Sequence, residues 1–275
     1  MIQISKQEIK VICDYIYNIC GVKLDSTKEY LIKTRLDHIV KKFECASYSE
    51  LYYKAKTDKT KKINTEIINS ITTAETFFFR DSHPFEILKE KILPDLLHKK
   101  KSTLMSSLKI WSAASSTGQE IYSIAMIVKE LIQDKNIKVN LFATDISNTV
   151  LENAKKGIYN KFEITRGLPP EKLKKYFTEL DNYWQIKDEI KKMVVFQQRN
   201  LMDPFFNIGK FDVVFCRNVA IYFTLEDRKK LFDKIADVIE PNGYLMIGSS
   251  EFLTGISPRF EARRFQKTVY YQKKE

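Results

Sequence analysis

Glycine is scarce in this sequence, with 8 residues among 275. That scarcity disfavours a glycine-rich phosphate cradle from the outset. Histidine is rarer still: His38, His83 and His98 are the full set, and none falls in a segment with catalytic spacing. The four cysteines, Cys13, Cys20, Cys45 and Cys216, form no C-x-x-C pair, so neither a zinc motif nor a redox motif is supported, and no metal is expected. Cys13 and Cys20, seven apart, read as core residues on one helix face. No uncharged apolar run approaches the roughly 20 residues that span a bilayer. The opening MIQISKQEIK has no apolar signal-peptide core. These absences lead to the expectation of a reduced, cytoplasmic protein.

The composition is that of a globular chain, with 44% hydrophobic and 29% charged residues, and the length suits one or two domains. The net charge is +11, but lysine outnumbers arginine 37 to 9. Proteins that read nucleic-acid bases favour arginine for its bidentate geometry. A lysine-rich excess fits a solvated surface, or attraction to an acidic partner.

The first 72 residues carry helical punctuation. Ser5 and Glu8 have capping-box spacing, and Ile9, Ile12, Ile16 and Ile19 then recur at helical intervals until Gly21. A second helix fits KEYLIKTRLDHIVKKF, with Leu31, Leu36, Ile39, Val40 and Phe43 expected inward and Lys28, Arg35, Lys41 and Lys42 outward. Ser47 and Glu50 repeat the capping pattern, and Ile63, Ile67, Ile68 and Ile71 mark a fourth helix. KAKTDKTKK, residues 54–62, reads as an exposed turn. The expected division is a helical domain over 1–72 and a second domain over 73–275.

From about residue 108 the pattern changes. LKIWSA, VNLFAT, MVVFQQ, FDVVFC and GYLMIGS are short apolar runs of the kind buried on both faces of a parallel sheet. Helical candidates alternate with them, which predicts an open, doubly wound α/β sheet. QKTVYYQ is expected to supply an edge strand. Ligands of such sheets bind at the carboxyl ends of the strands. The loop after the first strand, SAASSTGQE, matches neither G-x-G-x-x-G nor the P-loop. The second strand ends at Asp145, well placed to accept hydrogen bonds from a ribose diol. A carboxylate capping the next helix is the competing reading of that residue. A ribose site without a phosphate cradle points to an adenosyl ligand.

Several separated segments, in order, carry a resemblance: TTAETFFFR at 72–80, IWSAASSTGQEIYSIA, ATDIS at 143–147, FCRNVAIYF at 215–223 and GSSEFL at 248–253. Together they resemble the CheR-type chemoreceptor glutamate O-methyltransferases over nearly the whole chain. The resemblance implies a class I S-adenosylmethionine-dependent methyltransferase, Rossmann-like, with an all-helical N-terminal domain and a small antiparallel β insertion within about 157–192. It implies transfer of a methyl group from S-adenosylmethionine to glutamate carboxylates of chemoreceptors, for chemotactic adaptation. Thr76 and Arg80 match residues at the cofactor and the transfer site. Glu120 matches the carboxylate near the amino end of the methionine moiety, and Asp145 the ribose ligand. Asn200 and Leu201 match the pair beside the adenine, and Arg217 and Asn218 the lining of the pocket. Tyr222 matches the tyrosine that faces the reacting carboxylate together with the arginine at position 80. Lys33, Arg35, Lys41 and Lys42 are candidates for docking the acidic helical receptor.

Three departures stand out. Ala74 replaces a usual Asn, Gln119 the first of two Glu residues, and GSSE the commoner G-H-S-E. The insertion, placed between the third and fourth main strands, lacks the glycine-rich loop of members that tether a receptor tail. No tight tail-peptide binding is therefore expected, and the enzyme is taken as a monomer.

The implied chemistry explains the missing histidine. A glutamate with a pKa of about 4.3 is ionised at neutral pH and needs no general base. Alignment of nucleophile and methyl group is then the main task, and it can lower a barrier by roughly 7–11 kcal/mol. Phe77, Phe78 and Phe79 are expected to pack between the helical domain and the sheet. Alternatives are a base-amino methyltransferase, which Arg217-Asn218-Val219-Ala220 fits poorly, a catalytically silent cofactor-binding module, and the same chemistry on a different acidic protein.

Overall fold

Local capping chemistry sets the first helices. The Ser5 hydroxyl accepts from the Glu8 amide at 3.2 Å, and the Glu8 carboxylate accepts from the Ser5 amide at 2.9 Å. This reciprocal box starts α1 (Lys6–Cys20), and Gly21 ends it in the left-handed region. Ser47 caps α3 (Tyr48–Thr57) through the Glu50 amide at 3.1 Å. α2 (Glu29–Lys42) lies between them and α4 (Lys62–Ile71) follows. The computed structural model describes residues 3–25, 27, 29–100, 106–132, 136–266 and 268–275. Lys28 lies outside the described residues.

The inward face of α2 differs from the expected one. Ile32, Leu36, Ile39 and Val40 are buried, whereas Leu31 and Phe43 are half-buried. Ile32 is four residues before Leu36 and takes the place on the buried stripe that Leu31 would otherwise fill. The turn expected over 54–62 is confined to 58–61, because residues 54–57 finish α3 with Ala55 buried, and Asp58 helps to start α4. The Asp58 carboxylate accepts from the Thr60 and Ile63 amides at 2.8 and 2.9 Å.

The chain divides into two compact units, Met1–Thr73 with Tyr222–Asp227, and Ala74–Ile221 with Arg228–Glu275. In the second unit, α5 (His83–Ile87) runs through a π-helical turn, Leu88–Ile92, into α6 (Leu93–Lys100). There follow β1 (Ser106–Ala113), α7 (Gln119–Leu131), β2 (Ile137–Asp145) and α8 (Asn148–Lys156). An insertion then contributes β3 (Ile158–Asn160), α9 (Lys161–Thr165), α10 (Pro170–Tyr176), β4 (Phe177–Leu180), β5 (Tyr183–Ile186) and α11 (Asp188–Lys191). The main sheet resumes with β6 (Val194–Gln198) and β7 (Phe211–Cys216). A 3-10 turn, Ala220–Tyr222, leads to α12 (Leu225–Val238), β8 (Ile239–Met246), β9 (Phe260–Phe265) and β10 (Thr268–Lys273).

The main sheet has the order β6-β2-β1-β7-β8-β10-β9, and the insertion forms a separate antiparallel sheet, β3-β5-β4. The pairings β6–β2, β2–β1, β1–β7 and β7–β8 are parallel, and the closing hairpin is antiparallel. Two expectations are corrected. The insertion lies between the second and third main strands, because MVVFQQ is the third strand in chain order. The edge strand is β9 rather than the strand made from QKTVYYQ. Glu261, Ala262, Arg263 and Arg264 are exposed along β9, while Tyr270 and Tyr271 of β10 are buried against both neighbours. A charged outer strand is the usual way to blunt a sheet edge.

The aromatic run at 77–79 is also corrected, because Phe78 belongs to the core of the α/β unit itself. Its ring meets Tyr159 and Phe177 edge-on at 5.0 and 5.6 Å, while Phe79 meets Phe85 at 5.3 Å. A positive φ of 52° at Phe79 turns the chain immediately after the anchor. Phe78→Ala should therefore destabilise the protein by about 3–5 kcal/mol. Urea unfolding followed by circular dichroism checks this through a lower midpoint at unchanged slope.

Candidate active site

Register brings the strand ends together. Ala113, the last residue of β1, pairs with Thr144 of β2 and Cys216 of β7, and Asp145 pairs with Gln198 of β6. From β1 the chain adds β2 and then β6 on one side and β7 and then β8 on the other, so the crevice between the loops after β1 and β7 is the topological switch point. Glu120, Asp145, Asn200, Leu201, Arg217 and Asn218 all follow carboxyl ends of these strands or begin the next helix.

The loop after β1 makes its turn almost without glycine. Ala114 and Ser116 take positive φ values of 60° and 50°, and Gly118 takes 94° at the start of α7. Through that turn the Ser116 amide reaches Asp145, donating at 2.9 Å, while the Ser147 amide donates to the other oxygen at 3.0 Å. The capping reading of Asp145 is thus displaced, because α8 is capped by Ser147, whose hydroxyl accepts from the Val150 amide at 3.3 Å. Burial pushes the Asp145 carboxyl above its ordinary value, and the amide donors oppose that rise.

Arg217 lies deepest. Its side chain is 1% exposed, with Nη1 donating to Glu120 Oε2 at 2.8 Å. Nη2 donates to Asp81 Oδ2 at 2.8 Å and to the Arg80 carbonyl at 2.7 Å. The other Glu120 oxygen accepts from the Ser112 hydroxyl at 2.7 Å. Two carboxylates thus share one buried guanidinium, leaving the cluster with a net charge of −1.

The segment from Ala74 to Ser82 is held along its length. The Ala74 carbonyl accepts from the Ser116 hydroxyl at 2.8 Å, and Glu75 pairs with Arg166 at 2.7 Å. The Phe79 amide donates to the Ser123 hydroxyl at 3.0 Å. Arg80 itself is half-buried, lies outside any helix and donates to the Glu75 carbonyl at 3.0 Å. Its guanidinium lies 5.6 Å from the Phe77 ring centre. Thr76 is half-buried in the same stretch.

At the end of β7, Asn218 has a φ of 56°, and its amide donates to Glu251 Oε2 at 2.8 Å. The Gly248 amide donates to the same oxygen at 2.7 Å. A Cβ at Gly248 would fall 2.7 Å from Asn218 Nδ2 and 2.8 Å from Glu251 Oε2, so a side chain there would push on this hydrogen-bonded pair. After β6, Asn200 turns the chain by accepting from the Met202 amide at 3.0 Å, and Leu201 is buried. Ser112 and Glu251 stand within the motifs of the sequence without an assigned role there, and Asp81 lies just beyond the segment at 72–80. The signal lay in polar residues at strand ends and tight turns.

Tyr222 groups with the helical unit, where its carbonyl accepts from the Lys23 amide at 3.0 Å and its side chain is half-exposed. Three of the four basic side chains assigned to docking are engaged inside that unit. Lys33 pairs with Glu29 at 3.7 Å and Lys42 with Glu66 at 2.8 Å, and Arg35 donates to the Ser70 carbonyl at 3.1 Å. Lys41 is exposed.

Comparison with known proteins places the chain. Residues 7–72 match the family model described as CheR methyltransferase, all-alpha domain, and residues 73–269 match CheR methyltransferase, SAM binding domain. The chain belongs to the CheR methyltransferase family. It is 39% identical to the chemotaxis protein methyltransferase 1 of Vibrio cholerae, with 99% of each chain covered. It is 40% identical to the chemotaxis protein methyltransferase of Borreliella burgdorferi, covering 92% of this chain and 91% of that one. Among the described residues no helix is long and apolar enough to cross a membrane.

The protein is an S-adenosylmethionine-dependent methyltransferase, and the strand-end residues fit that cofactor. Both Asp145 oxygens keep lone pairs beyond their amide donors, as a ribose diol requires. The Ser115 hydroxyl is buried with no partner among the described residues. The net negative Arg217 cluster suits a cationic ligand.

Two outcomes test this geometry. Hydroxyl donation needs ionised Asp145, whose pKa is raised in the free protein. Cofactor affinity should therefore fall as pH drops through that raised value, by about tenfold per pH unit. Asp145→Asn should bind weakly throughout and lose this acid limb in calorimetry. Arg217→Met should destabilise the fold by about 3–5 kcal/mol, because it strands the buried Glu120 carboxylate and leaves the half-buried Asp81 without its partner. Thermal and urea unfolding report that loss.

Proposed function

We propose that this chain methylates glutamate side chains of chemoreceptors, producing glutamate methyl esters and S-adenosylhomocysteine. The observation that carries the reading is the link from Arg80 to the sheet. The turn that holds Arg80 is tied through Arg217 to Glu120 at the carboxyl end of the parallel strands. A substrate-facing cation and a carboxylate suited to the cofactor's amino end are thus held by one buried side chain. Family membership and the chemotaxis names of the relatives supply the substrate class.

When bound, S-adenosylmethionine supplies a methyl group on a positively charged sulfur. An ionised substrate carboxylate would accept that methyl group directly, with the carbon–sulfur bonding pair left on sulfur, so the residues of this chain need only hold and align the two. No proton moves. Glu120 and Asp145 hold the two ends of the cofactor, with Asn200 and Leu201 beside its adenine and Thr76 and Asn218 lining the pocket. Arg80 and Tyr222 orient the carboxylate by hydrogen bonds, the tyrosine hydroxyl donating one and the guanidinium several. These contacts serve the reaction to the extent that they strengthen at the transition state. In the helical unit, Lys41 is the basic residue of α2 that the proposal assigns to an acidic receptor helix, since Lys33, Arg35 and Lys42 already have partners there.

The test is transfer of labelled methyl to receptor cytoplasmic fragments, followed by base treatment. The expected label is base-labile and disappears when the receptor glutamates become alanine. Arg80→Ala and Tyr222→Phe should each lower turnover by about 10²-fold, with cofactor affinity little changed. Parallel loss of affinity and turnover would remove these two residues from the transfer step. Cofactor binding without transfer to receptor fragments would point to another acidic protein or to a silent member.

A further inference from the structure

One cation in the α/β unit has an environment that ordinary surface chemistry does not explain. Lys234, half-buried on α12, donates to three consecutive carbonyls, those of Leu201, Met202 and Asp203, at 2.7, 2.9 and 2.9 Å. These contacts can use all three ammonium protons. Its nitrogen also lies 4.8 Å from the centre of the Phe205 ring, which packs edge-on against the buried Trp111 at 5.2 Å. Three convergent carbonyls place three negative dipole ends around one point. Such a turn needs a compact positive charge at its focus, and a lysine supplies that shape where a planar guanidinium does not.

The other side of the same turn is tied to the site. The Arg199 amide donates to the Asp145 carbonyl at 2.8 Å, and the Gln198 side chain donates to the Ile146 carbonyl at 2.9 Å. Residues 199–203 are therefore stretched between the strand end bearing Asp145 and the ammonium on α12. We infer that Lys234 is a positioning residue for cofactor binding, fixing the turn that presents Asn200 and Leu201 to the adenine. The inference rests on the proposed adenine-side role of Asn200 and Leu201, and it is independent of the methyl acceptor.

Calorimetric binding of S-adenosylhomocysteine and of adenosine to the full chain tests it. Lys234→Met should weaken both ligands by the same factor, about tenfold, from the lost charge-assisted bonds. Lys234→Arg, which keeps the charge on a different geometry, should weaken both by a smaller factor and guards against a folding defect in the methionine variant. Glu120→Gln should weaken S-adenosylhomocysteine and leave adenosine unchanged, which marks the opposite end of the cofactor. Unchanged affinity for both ligands in folded Lys234 variants overturns the inference, as does a loss confined to S-adenosylhomocysteine. Asn200→Ala separates the two failures. If it weakens adenosine while the Lys234 variants do not, the lysine's role falls alone; if it too has no effect, the adenine-side assignment falls with it.

Discussion

One buried guanidinium organises the site. Arg217 comes from the end of a central strand and reaches the first turn of α7 through Glu120 and the 80–81 turn through Asp81 and a carbonyl. An isolated charge at 1% exposure would be prohibitively costly, so each partner is a condition for the others. Glu120 without Arg217 would be a buried carboxylate beside a serine hydroxyl, and the Arg80 turn would lose its tie to β7. The arrangement gives rigidity to a reaction in which alignment, not proton transfer, is the demand.

The scarcity of glycine has a counterpart in the backbone. Phe79, Asp81, Ser82, Ala114, Ser116 and Asn218 all adopt positive φ, and all lie in the loops around the site. Non-glycine residues in that region cost about 1–2 kcal/mol each. Arg217, by donating to Asp81, and the Ser123 hydroxyl and the Asp145 and Glu251 carboxylates, by accepting from backbone amides, hold these turns in place. Strain gathered at a functional centre and offset by surrounding structure is the pattern expected of a preorganised site.

Much of the architecture was legible because the chain states it locally. Ser5 with Glu8 and Ser47 with Glu50 mark helix starts by side-chain chemistry alone, and continuous apolar runs mark strands buried on both faces. The edge strand was not legible, because FEARRF carries exposed charges and gains its order from pairing with β10. The choice of Ile32 over Leu31 on α2 also depends on tertiary context, since both are apolar and adjacent. At the site, strand-end position pointed to Asp145 and the family resemblance to Glu120 and Arg217, but neither to who holds whom. Asp81 stands next to Arg80 in the sequence, where a local ion pair would be the simplest use of it. Its carboxylate instead serves an arginine 136 residues away, a distance that no local pattern encodes.

That separation bears on how the protein is made. A ribosome adds about 5–20 residues per second, so the Arg80 turn waits roughly 7–30 s for the arginine that secures it. The helical unit waits equally long, because Tyr222–Asp227 completes it. Neither half of the molecule is finished by the part of the chain that begins it. A nascent chain arrested before residue 217 would have the partners of Phe78 already made but the turn at residues 80 and 81 without its lock.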